Sequence, residues 1–181
     1  MPPHIPTIEK FAASMLAKDT SKNRKAWINK MAKTKTDLLP WLVLLEYEPL
    51  VASRFLLVMD DVCELKPKRI IPLIVPCFEQ RETPPVAGFR SSLVKWLMLA
   101  GVPEEIEREV LDQLIIWIQK KEIKTTAKIH ALEVLLELAS KYPEVIPELL
   151  IIMNDQIPNN TIAFEQKCRS IAKGLYRIMG M

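Results

Sequence analysis

From Thr36 onward apolar residues recur every three or four positions, in stretches of about 12 to 18 residues, which is the period and length of amphipathic α-helices. No stretch alternates apolar and polar residues as a half-buried strand must, so the pattern predicts an all-α chain. Hydroxyl residues mark predicted helix starts. Thr36 precedes Asp37 and an apolar run, Thr83 precedes Pro84 and Pro85, Thr126 opens Ala127 to Ser140, and Thr161 opens Ile162 to Met179. Each side chain can accept a hydrogen bond from a first-turn N–H that has no partner inside the helix. Stops are marked by Gly101 after the segment through Leu99, by Pro49 after Tyr47, and by Tyr142–Pro143.

The segments fall into pairs. Thr36 to Glu48 pairs with Leu50 to Leu65, Lys68 to Gln80 with Pro84 to Ala100, Pro103 to Lys120 with Thr126 to Lys141, and Pro143 to Gln156 with Ile162 to Met179. A proline stands early in three of the first helices, at Pro40, Pro72 and Pro147, with spacings of 32 and 75 positions. The second spacing is two periods of about 37 residues, the length of a HEAT-like repeat. A basic residue falls at a similar place in each second helix, at Arg54, Arg90, Lys128 and Lys167, separated by 36, 38 and 39 positions. Neither helix of such a pair can hide its apolar stripe alone, so stacking pair on pair makes the core. The expectation is one domain over residues 1–181, a right-handed α-α superhelix of about four to five antiparallel pairs. Residues 1–36 would supply a degenerate pair, Thr7 to Lys18 and Ser21 to Lys33, behind a loose start of six residues.

The stretch from Thr125 to Ile178, TTAKIHALEVLLELASKYPEVIPELLIIMNDQIPNNTIAFEQKCRSIAKGLYRI, resembles the C-terminal half of a family of short bacterial HEAT-like proteins, and the likeness of pattern extends over roughly Ser21 to Ile178. More distantly the chain is similar to the ARM/HEAT superfamily, which includes the DNA-alkylation-repeat proteins. The resemblance implies a curved α-solenoid with a binding surface, and it carries no catalytic residue over to this chain.

Composition agrees with a helical globular protein. Apolar residues make up 49%, charged residues 26%, and there are only four glycines. Most of the fourteen prolines stand at segment starts, where a helix tolerates them. The longest apolar runs, Leu38 to Leu45 and Leu149 to Met153, fall far short of the roughly 20 residues that span a bilayer. The N-terminus lacks a secretory signal pattern, and Cys63, Cys77 and Cys168 are odd in number and widely spaced, so a reducing cytoplasm is the expected location. The net charge of +3 is unevenly spread: residues 1–36 carry eight Lys/Arg against two acids, and residues 159–181 four against one. Such a field can steer a charged partner, or can simply solvate helix faces.

Candidate chemistry is sparse. His4 and His130 have no second histidine at metal-ligand spacing, and the cysteines form no C-x-x-C, so no metal site is expected. Cys63 and Cys77 lie on apolar faces, as small buried hydrophobes do. Asp60 and Glu64 share a helix face and have the spacing of an acid–base pair, but Asp61 and Glu64 also have the spacing to pair with neighbouring cations. Glu104, Glu105, Glu107 and Glu109 offset the positive end of a helix. There is no glycine-rich phosphate loop, G-x-S-x-G or H-E-x-x-H, so neither an enzyme nor a cofactor is expected. The stronger candidate is a surface: Arg54, Arg90, Lys128, Lys167 and Arg169 as a basic ladder on the concave helices, facing an acidic peptide or a phosphate backbone. The same residues have an architectural reading, in which each pairs with a neighbouring repeat. A protein or peptide is the expected partner, with no membrane. Nucleic acid is the second choice, through Lys18, Lys22, Arg24, Lys25, Lys30, Lys33 and Lys35 with Trp27 as a stacking platform. Trp41, Trp96 and Trp117 are expected in the core.

Overall fold

The computed structural model describes residues 5–17, 20–33 and 37–180. His4, Lys18, Lys35 and the expected cap Thr36 lie outside the described residues. Among the described residues every regular element is helical. The chain divides into two compact units, Met1–Ala100 and Gly101–Met181.

The first unit contains α1 (Ile5–Leu16), α2 (Thr20–Lys33), α3 (Pro49–Leu65), α4 (Ile71–Glu79) and α5 (Phe89–Ala100). Helix α3 packs on α1, α2 and α5, and α4 packs on α5. Phe11 of α1 is fully buried and meets three aromatic rings edge-on, with centroids 5.2 Å away at Trp27, 5.9 Å at Trp41 and 6.0 Å at Phe55. Edge-on packing aligns positive ring edges with negative faces, and this cluster ties the N-terminal pair to α3. Trp27 is therefore a core residue, 6% exposed, with its Nε1–H donated to Ser14 Oγ at 2.8 Å. The stacking platform expected at Trp27 is corrected: the ring is enclosed by aromatic neighbours and presents no face to a base.

Two local departures from the sequence expectation have physical causes. Leu39–Glu46 is a 3₁₀ helix, eight residues long, rather than an α-helix. Buried Leu38 at its cap position and Trp41 and Leu44 within it recur every third position, as three residues per turn of a 3₁₀ helix requires, with Leu45 buried beside Leu44. Helix α5 starts at Phe89, so Thr83 does not cap it. Pro85 pushes Pro84 out of the helical region, and the turn closes only at Gly88, whose φ of +89° suits a residue without Cβ.

The second unit contains α6 (Glu107–Gln119), α7 (Thr125–Lys141), α8 (Ile146–Gln156) and α9 (Ile162–Ile178). Helix α7 packs on α6 and α9, and α8 packs on α6 and α9. The core holds Leu114, Trp117, Leu132, Leu135, Leu149, Phe164 and Leu175. Gly174 lets α9 approach α7 closely, since a Cβ there would meet Leu136 Cδ1 at 2.8 Å. Thr161 caps α9 as expected, its Oγ1 accepting from the Phe164 N–H at 3.4 Å. Thr126 is not the cap of α7: the helix begins one residue earlier, Lys124 holds the cap position, and no side chain bonds the first-turn N–H groups. Pro72 and Pro147 take the second position of α4 and α8, and Pro40 the second position of the 3₁₀ helix. There the missing N–H removes no helical hydrogen bond.

Candidate binding site

The five ladder residues have different fates. Arg54 of α3 donates from its guanidinium to the Met15 carbonyl, in the last turn of α1. Arg90 of α5 donates to the Arg81 carbonyl at 2.9 Å and the Glu82 carbonyl at 3.1 Å, just beyond the end of α4. Carbonyls at a helix C-terminus have no intrahelical partner and carry the negative end of the dipole, so a cation there is stabilising. Lys167 of α9 pairs with Glu133 of α7. Arg169 pairs with Glu165 at 2.6 Å, one turn back on its own helix, and its side chain is 74% exposed. Lys128 of α7 is only 4% exposed, and among the described residues no hydrogen bond or ion pair reaches its ammonium. Burial pushes that ammonium below the usual lysine value, with Glu122 opposing the shift at longer range.

The carboxylate cluster of α3 is likewise engaged. Asp61 pairs with Arg24 of α2 at 2.6 Å and Glu64 with Lys95 of α5 at 2.6 Å. Asp60 accepts from Trp96 Nε1 at 2.7 Å and Ser92 Oγ at 3.1 Å, so each of its oxygens has a donor. Burial raises its carboxyl above the ordinary value, while those two donors and Lys95 hold it down in part. This geometry links α3 to α5 and leaves Asp60 and Glu64 directed at different partners. The thiols of Cys63, Cys77 and Cys168 are free and buried, and burial pushes them up to about 12, about 12 and about 11 respectively. They pack as small hydrophobes in their thiol form. Among the described residues no group of three or more His, Cys, Asp and Glu side chains could hold a metal ion, and no helix is long and apolar enough to cross a membrane.

One open groove has the shape of a binding site. It encloses about 470 Å³ between α8 and α9, with Leu150, Met153 and Ile157 on one wall and Cys168, Ala172 and Tyr176 on the other. Arg169 and Glu165 stand on its rim. Arg169, Lys173 and Tyr176 fall at i, i+4 and i+7 of α9, hence on one face, and all three are exposed. The spacing of basic residues points to Arg169 and carries no sign of the groove beside it. The available signal was the run Leu149 to Met153, too apolar for one helix stripe: Leu149 is buried in the core, while Leu150 and Met153 line the groove. No family model, curated protein or solved structure matches the chain.

Proposed function

We propose that the chain is a non-catalytic, HEAT-like binding module of the cytoplasm that holds an acidic amphipathic peptide along the α8/α9 groove. The observation that carries this reading is the groove itself, whose apolar walls carry Arg169 at the edge, with exposed Lys173 one turn further along α9 on the same face, against the acid Glu165. An amphipathic helix laid in such a groove buries its apolar face, and its acids meet the cations on the rim. The Arg169–Glu165 pair is a surface contact of small net value, so an incoming carboxylate can replace Glu165. Three free cysteines suit a reducing compartment.

The test is binding of a fluorescent acidic amphipathic peptide and of its lysine-for-glutamate counterpart to the full chain. The acidic peptide should bind in the micromolar range, and Ala172→Trp, which fills the groove, should weaken it about tenfold or more. Equal binding of both peptides, or no effect of Ala172→Trp, would overturn the reading. A nucleic-acid reading draws on Lys22, Lys25, Lys30 and Lys33, all exposed on α2, but without an aromatic platform at Trp27. Tight, steeply salt-dependent binding of a DNA oligomer would move that reading ahead.

A further inference from the structure

A second cavity in the same unit, about 350 Å³, lies where the end of α6, the start of α7 and the end of α8 meet. Lys128 lines it, together with Lys121, Thr125, Gln156 and Asn159. Two further lining amides already donate internally, Gln119 to the Ile115 carbonyl at 2.9 Å and Asn160 to the Gln156 carbonyl at 2.8 Å. No acidic side chain lines the cavity. The first turn of α7 lacks both a side-chain cap and an acidic residue, so its N–H groups and dipole present positive charge at Thr125.

Lys128 is the independent observation. The Lys128 residue is 4% exposed and lines the cavity, and among the described residues no hydrogen bond or ion pair reaches its ammonium, so the cavity is the open side from which negative charge can approach it. Its register partners Arg54 and Arg90 reach carbonyls at the end of a preceding helix, and Lys128 reaches none.

We propose that this cavity binds a small oxyanion, the phosphate or carboxylate group of a small polar molecule, between the Lys128 ammonium and the first-turn N–H groups of α7. The Thr125 hydroxyl and the Gln156 and Asn159 amides would orient the rest of the ligand. The volume exceeds that of a bare phosphate and is small for a peptide, which sets this site apart from the α8/α9 groove.

The experiment titrates sodium phosphate, and separately sodium acetate, into the full chain at constant ionic strength with chloride as balance, reading calorimetric heat and Tm. Saturable binding of either anion with a rise in Tm is expected, and the stronger of the two identifies the preferred group. Lys128→Met should abolish the response while keeping or raising Tm without anion. Asn159→Asp, an exposed rim substitution that leaves the core untouched, should weaken binding about tenfold. Phosphate and acetate indistinguishable from chloride, or full anion binding retained by both variants, would overturn the proposal.

Discussion

Arg54 stands in the first half of α3 and Lys128 in the first half of α7, one helix in each compact unit, yet the two cations meet opposite surroundings. Around Arg54 the last turn of α1 offers the Met15 carbonyl, and the guanidinium takes it. Nearby, Asp60 is also satisfied, by Trp96 and Ser92. In the second unit Glu107 is buried and accepts from Lys141 and from the Tyr142 hydroxyl, so burial of charge there is not unpaired as a rule. Lys128 differs: the residue is buried, it lines a polar cavity, and among the described residues no hydrogen bond or ion pair reaches its ammonium. The sequence fixes where along its helix each cation stands. Whether it holds the fold or faces a ligand depends on which carbonyls or carboxylates the preceding turn brings within reach. Residue type adds to this, since an arginine fork can bridge two carbonyls, as Arg90 does, and an ammonium is a point charge.

The comparison breaks most visibly at Asp60. Asp60→Leu leaves the Trp96 N–H and the Ser92 hydroxyl without their acceptor and should cost about 3 kcal/mol in urea unfolding, with Asp60→Asn costing much less. The carboxyl is raised by burial, so its neutral form favours the fold. The stability of the wild type relative to Asp60→Asn should therefore improve as pH falls from above the folded-state value toward 3.8, and a difference independent of pH would refute this assignment.

Arg54→Met comes next. It strips a charged donor from the end of α1 and should lower stability by about 1–2 kcal/mol. Lys128→Met is expected to have the opposite sign, with Tm unchanged or higher, because it removes an ammonium that burial disfavours. The lowered lysine value means that the wild type gains stability as pH rises through it toward 10.5, and Lys128→Met should lack that gain. A Tm loss in Lys128→Met matching that of Arg54→Met would erase the distinction. The smallest effect belongs to Arg169→Glu, which should change stability by less than about 0.5 kcal/mol. The same substitution should still weaken the acidic peptide in the α8/α9 groove.

These contrasts also mark what the chain shows before folding. Helix positions were legible because each burial stripe repeats at the helical period, and the prolines at 40, 72 and 147 occupy the second position of their elements. Thr161 and Gly101 were legible for the same local reason, a cap hydroxyl in one and a φ of +90° in the other. Thr83 and Thr126 are poor guides because neighbours decide helix starts: Pro85 excludes a helical Pro84, and α7 takes its cap position at Lys124, two residues before Thr126. The 3₁₀ period of Leu38, Trp41 and Leu44 was present in the sequence but looks like part of a continuous apolar run. Of the site, the basic residues could be named from the sequence and their surroundings could not, because these depend on partners 34 to 39 positions away, such as Glu133 for Lys167 and Met15 for Arg54.

The most direct measurement is an NMR titration of the Lys128 side chain through its Cε–Hε signals, with and without sodium phosphate. The account predicts a value below that of ordinary lysines in the absence of anion, rising when phosphate binds. A value at or above the ordinary one in both conditions would show that the ammonium already has a partner within the fold, and would contradict both its separation from Arg54 and the anion site.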